Sequence, residues 1–159
     1  MIEDWKLNPR WVVPEAQIGF QRGEGHVYGT LTGALDWRGR RVDLNVDADY
    51  TVAERIARVT VHFANVEPSD FADVVPELAP LDYIAAPLSG SLTLRVNDTG
   101  EQLGLNFDLG VGAGQINVPD TLAQPLDLKD ARFRGYADGG KGILFLDEAS
   151  LTFADGFRA

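Results

Sequence analysis

Two histidines, a run of aspartates and one glycine-rich pentapeptide are the places in this chain where residue types could do chemistry. His26 and His62 are its only histidines, and there is no cysteine. A nucleophile–histidine–carboxylate triad would need one of them beside a serine and an acid. The sequence holds no GxSxG and no HExxH around either. Both histidines sit in strand-like stretches with polar neighbours, which predicts a surface or pairing role. Asp43, Asp47 and Asp49 offer carboxylates for a cation or for paired acid–base work. On a strand, however, alternate residues stand about 7 Å apart, too wide for one ion without further ligands. They read as a solvated outer face. Asp147 and Glu148 are adjacent, so their side chains point to opposite faces. A glycan hydrolase needs two acids about 5–9.5 Å apart in a cleft, and the sequence nominates no such pair. Gly110-Val111-Gly112-Ala113-Gly114 has the look of a phosphate loop, but neither Lys-Ser/Thr nor an amphipathic helix follows it. It reads as a bend in a strand. The chain is therefore expected to be non-enzymatic and to need no cofactor and no metal.

The elements around these residues are strands. Arg41 to Tyr50 alternates strictly, with Val42, Leu44, Val46, Ala48 and Tyr50 on one face and Arg41, Asp43, Asn45, Asp47 and Asp49 on the other. That period of two marks a half-buried antiparallel strand. The same alternation predicts strands over 26–37, 56–63, 89–97 (Leu92, Leu94, Val96 inward) and 103–111 (Leu103, Leu105, Phe107, Leu109, Val111). Shorter strands follow at 115–118, 131–137, 142–147 and 149–154. Trp11 to Phe20 reads as an interrupted strand that Pro14 confines to an edge. Turn signals separate the runs at Arg22–Gly25, Arg38–Arg40, Asp98–Gly100 and Asp138–Gly140. One helix is predicted around 68–78, opened by Pro68, striped by Phe71, Val74, Val75 and Leu78, and ended near Pro76.

Two of the hairpins repeat. Gly29–Asp49 (GTLTGALDWRGRRVDLNVDAD) aligns with Gly90–Gly110 (GSLTLRVNDTGEQLGLNFDLG) without a gap at an offset of 61 residues. Gly29/Gly90, Leu31/Leu92, Thr32/Thr93, Gly39/Gly100, Leu44/Leu105, Asn45/Asn106 and Asp47/Asp108 are identical. A repeated hairpin with one apolar face belongs to architectures that grow by adding strands and hold something elongated.

Composition narrows the classes. At 159 residues, with 45% apolar and 24% charged residues, the chain has the make-up of one globular domain. We divide it into a lead-in and first edge strand at 1–25 and a β-rich domain at 26–159, whose two hairpin units are joined by a helical segment at 67–88. A formal charge of −10 argues against nucleic acid and against electrostatic docking on an anionic membrane. No apolar run is long enough to span a bilayer as a helix, and MIEDWKLNPRW lacks the apolar core of a signal peptide. These features predict a cytoplasmic protein if the chain stands alone, or an excised piece of a longer one.

The stretch from Phe63-Ala64-Asn65-Val66 through the 68–78 segment, the Ala79-Pro80-Leu81 link and the hairpin opened by Pro87-Leu88-Ser89-Gly90 resembles the AsmA-like superfamily of bacterial envelope proteins. It is most like the YhdP-type members that carry the DUF3971 region. Leu126-Asp127-Leu128-Lys129-Asp130-Ala131 and Gly135-Tyr136 extend the resemblance, which covers roughly residues 26–157. It implies a mostly β fold: a twisted antiparallel sheet of repeating hairpins, groove-like or curled, with an apolar interior and a polar exterior. It further implies a periplasmic place within an inner-membrane-anchored parent, and a role in phospholipid transport and outer-membrane homeostasis. The membrane would be reached only through parts of the parent absent here. Phospholipid acyl chains would lie on Val42, Leu44, Val46, Leu92, Leu94, Val96, Leu103, Leu105, Phe107 and Leu109. Two open strand edges would favour edge-to-edge self-association. The alternative is a protein-interaction or scaffold β-module that fills a closed core of its own.

Overall fold

The computed structural model describes residues 12–37, 40–68, 82–119, 124–139 and 143–154. They form ten strands: β1 (Val12–Gly23), β2 (His26–Trp37), β3 (Arg40–Thr51), β4 (Ile56–Val66), β5 (Ile84–Ala85), β6 (Leu88–Asn97), β7 (Gln102–Val111), β8 (Gly114–Ile116), β9 (Leu126–Asp138) and β10 (Ile143–Phe153). All ten belong to one antiparallel sheet, and it is not closed. The fold class is thus mostly β, as the alternation predicts.

The topology is a meander. β1, β2, β3, β4, β6, β7, β9 and β10 pair in chain order, each antiparallel to the next. β5 and β8 prolong β6 and β7 at one end. Beyond the break at Gly112–Ala113, β8 pairs β9 through Gly114↔Leu128, and β5 pairs β8 through Ile84↔Ile116. Gly112 N–H donates to the Pro87 carbonyl at 2.8 Å, which ties the two breaks together. β1 and β10 are the edges of the meander.

The repeat is a structural one. Gly29↔Ala48, Thr30↔Asp47, Leu31↔Val46, Thr32↔Asn45 and Gly33↔Leu44 in the β2–β3 hairpin correspond to Gly90↔Leu109, Ser91↔Asp108, Leu92↔Phe107, Thr93↔Asn106 and Leu94↔Leu105 in β6–β7. The correspondence lasts until a bulge, where Arg95 pairs Gly104 but Val96 pairs Gln102. Past it, Asn97 organises the turn. Its Oδ1 accepts from Thr99 N–H (3.1 Å), Thr99 Oγ1 (2.7 Å) and Glu101 N–H (2.8 Å), and Gly100 takes φ +84°. An Asn side chain folding back on the next residues is the usual device of such turns.

Several expectations are corrected at the level of elements. Residues 142–147 and 149–154 are not two strands but one, β10, with a bulge between Leu146 and Glu148. The extra residue breaks the alternation, so the run reads as two pieces. β9 begins at Leu126, five residues before the alternating run at 131–137. Ile84 and Ala85, expected in a link, form β5, because β8 offers them a pairing edge. Apart from Pro68, which is fully buried in a turn, the helix expected over 68–78 lies outside the described residues. So does most of the turn at 38–40. Among the described residues there is no α-helix.

Buried side chains gather at the end of the sheet where β4 leads out and β5 leads in. One cluster holds Ala86, Val111, Leu128 and Ala131, flanked by Leu88, Phe133, Leu151 and Phe153. A second holds Val42 and Val66, with Leu44 and Phe63 against it. Ala34 on β2 is buried as well; over the rest of the sheet the described apolar side chains are half-buried at most.

Candidate functional site: an apolar sheet face

Cross-strand partners share a face of a sheet, so register alone assigns the faces here. One row of partners runs Ile18, Leu31, Val46, Val61, Leu92, Phe107, Gly135, Leu146 from β1 to β10. The next runs Phe20, Gly29, Ala48, Val59, Leu94, Leu105, Ala137, Leu144, and a third runs Ala16, Gly33, Leu44, Phe63, Gly90, Leu109, Phe133, Ala149. No polar side chain interrupts any of the three. With strands about 4.8 Å apart and alternate residues about 7 Å apart, the rows cover roughly 34 Å by 14 Å. A contiguous apolar patch of that size is often functional.

The predicted lining residues fall on this one face. Leu44, Val46, Leu92, Leu94, Leu105, Phe107 and Leu109 belong to the rows, and all are half-buried. Val42 continues their side of β3 but is only 7% exposed and belongs to the end cluster. Val96 lies toward the opposite end, paired with Ala57. Leu103 occupies the bulge opposite Val96. The register also assigns to the face Ile18, Phe20, Val59, Val61, Leu144 and Leu146, none of them among the predicted lining residues. The signal was present in 56–63 but hidden in β10, whose 143–146 segment (ILFL) shows no alternation.

Aromatic rings meet glycines across this face. Phe20 pairs Gly29, Phe63 pairs Gly90 and Phe107 pairs Gly135. A Cβ added to Gly29 would touch the Phe20 ring at 3.4 Å, and one added to Gly135 would come within 2.8 Å of Phe107 Cζ. The Phe20 and Phe107 rings thus lean over backbone that carries no side chain, which keeps the face smooth where glycine would otherwise leave a gap.

The other face is mostly polar, and several of its side chains pair with one another. Thr32 Oγ1 donates to Asn45 Oδ1 at 3.0 Å, and the Thr60 and Thr93 hydroxyls bond at 3.0 Å. His26 Nδ1 lies 3.0 Å from Asp49 Oδ1, and its ring stacks on Tyr28 with centroids 5.6 Å apart. Exposed His62 stands between its partners Asn45 and Ser91. Both histidines therefore take surface and pairing roles. Asp43 pairs with Arg41 at 3.1 Å, and among the described residues no three His, Asp or Glu side chains gather to hold an ion.

The strongest electrostatic feature of that face is Asp108. Arg134 Nη2 and Nε donate to its Oδ2 at 2.9 and 3.2 Å, and Arg132 Nη2 reaches both oxygens at 3.3 and 3.2 Å. The Arg132 hydrogen bond, then that of Arg134, holds the Asp108 carboxyl below the ordinary carboxylate range, and Asp108 in turn raises Arg132. Arg134 also lies 3.9 Å from Glu148. This cluster binds β7, β9 and β10 together, and its guanidinium groups are already engaged. Comparison with models of protein families, with curated proteins and with solved structures finds no match.

Proposed function

We propose that this chain is a non-enzymatic lipid-binding segment whose apolar sheet face carries phospholipid acyl chains, as part of phospholipid transport and outer-membrane homeostasis in the bacterial envelope. The observation that carries the reading is the unbroken apolar surface of three rows across eight paired strands, in a sheet that is open. An open face can take a chain from the side and let it slide, whereas a closed core is filled once. Affinity then comes from burial, at about 0.8 kcal/mol for each CH₂ removed from water. The smooth side-chain surface gives little grip on one chain over another, so selectivity is weak. Polar headgroups stay at the margin near water. The resemblance of residues 26–157 to AsmA-like envelope proteins supports the same reading and a periplasmic setting within a membrane-anchored parent. The sheet's openness supports it over a scaffold module with a closed core.

The test is native mass spectrometry with lipid extraction on protein purified without detergent. Co-purifying phospholipid in defined stoichiometry is the expected result. A clean apo mass, together with no uptake of a fluorescent phospholipid, would overturn the reading.

A further inference from the structure

The two edges of the meander are unlike its interior. Phe20 (77% exposed), Ile18 (62%), Leu144 (60%) and Leu146 (56%) are the four most exposed large hydrophobic side chains among the described residues. They form two pairs, one on β1 and one on β10, at the opposite ends of the same two apolar rows. Ile18 begins the row that Leu146 ends, and Phe20 begins the row that Leu144 ends. β10 is also apolar on its other face. There Phe145 stacks on Tyr136 with centroids 4.6 Å apart, and both are 40% exposed. Edge strands are ordinarily guarded by charge, proline or a bulge. β1 carries Pro14 and a register break between Val12 and Glu15, and β10 has its bulge at Asp147. The guards stand beside 18–20 and 143–146, and among the described residues no strand pairs with the outer side of those segments.

We propose that the partner of each edge is a second copy of this chain, added head to tail, β10 of one molecule pairing with β1 of the next. Eight alternating strands leave β1 and β10 antiparallel, so the added copy continues the up-and-down order. One register continues both rows at once: Leu146 opposite Ile18 and Leu144 opposite Phe20 of the next copy. The same register sets Phe145 against Gly19, repeating on the polar face the Phe–Gly pairing found three times within the sheet. It covers all four of the most exposed apolar side chains without placing like charges opposite one another. Closure of one chain on itself into a barrel would instead require a staggered register, which breaks the rows. A head-to-tail contact is heterologous, so assembly is open-ended unless its twist closes a ring. The inference does not depend on lipid: it concerns the edges, and the lipid reading concerns the face.

The experiment uses two single variants of the whole chain, each with a lysine on one edge and each checked for unchanged far-ultraviolet circular dichroism. Leu146→Lys blocks the β10 edge and Phe20→Lys the β1 edge. In sedimentation velocity without lipid, the parent chain is expected to gain mass with concentration. Each variant alone loses that gain. Their mixture forms a dimer and stops, since each supplies the edge the other lacks. Because the chain has no cysteine, register is read separately with Ile18→Cys combined with Leu146→Cys. Mild oxidation is expected to give a ladder of covalent oligomers, and the off-row pair Ile18→Cys with Leu144→Cys to give none. A parent of constant single-chain mass, self-association by Phe20→Lys alone (two β10 edges pairing), or an intrachain disulfide in the first cysteine pair would each overturn the proposal.

Discussion

The Phe107 ring lies across Gly135, its partner on the neighbouring strand. A Cβ at Gly135 would approach Phe107 Cζ to 2.8 Å and run into the Phe145 carbonyl. The ring therefore depends on the missing side chain of β9, and β9 depends on it to stay close to β10. Gly135→Ala should destabilise the fold by about 1–3 kcal/mol, the usual range for inserting a methyl where packing leaves no room. Urea unfolding read by circular dichroism measures it. Gly104→Ala, whose Cβ would meet only the Ala137 carbonyl at 3.4 Å, is the control and should cost far less.

Phe107 and Asn106 are neighbours on opposite faces. Phe107→Asp places a charge in the middle of the apolar rows and is expected to abolish phospholipid uptake while the strand spectrum is retained. Asn106→Asp puts the same charge one residue away on the polar face and should leave uptake unchanged. Fluorescent-lipid titration of both variants decides the matter, and equal uptake by the two would count against the face as the binding surface.

Asp108 makes part of the stability depend on acid. Its carboxyl is held below the ordinary carboxylate range by the hydrogen bonds of Arg132 and Arg134. A depressed folded-state value means the unfolded chain binds the proton more readily, so the contribution is fully present above the unfolded value and is lost as pH falls through the folded one. Thermal melts from pH 6 downward should show the parent losing stability at and below about pH 4. Asp108→Asn should lack that part of the loss while being less stable than the parent at pH 6.

The β6–β7 turn rests on Asn97, whose Oδ1 accepts three hydrogen bonds at 2.7–3.1 Å. Asn97→Ala removes the acceptor from an exposed turn where water partly replaces it, so the expected cost is about 1 kcal/mol. Hydrogen exchange should localise the loss to 95–104. Asn97→Asp keeps the accepting oxygen but replaces the Nδ2 donor to Glu101 Oε2 (3.0 Å) with a second carboxylate, so it should recover only part of it.

Much of the sheet is legible in local pattern. Arg41–Tyr50 declares both of its faces, and the Gly29–Asp49 and Gly90–Gly110 repeat announces two hairpins whose pairings coincide in the structure. The misses have physical causes. β10 looks like two strands because a bulge at Asp147 shifts the alternation, and 143–146 shows no alternation because it is apolar on both sides. β5 has no signal of its own; two residues become a strand only because β8 lies beside them. Asp108 looks like its repeat-mate Asp47, a solvated acid, until β9 brings up Arg132 and Arg134 from more than twenty residues away.

The amino-acid sequence by itself determined which side chains share a face of each strand, where the hairpins turn, and that neither histidine lies in a catalytic motif. These follow from the pleat and from turn chemistry, which act over a few residues. The tertiary structure alone decided that the separate apolar stripes join into three rows across eight strands, that the sheet stays open with its most exposed apolar side chains at the two edges, and that Asp108 is doubly paired. Those features depend on register between strands, which is set by hydrogen-bonded pairing of segments distant in the chain, and no local pattern specifies it.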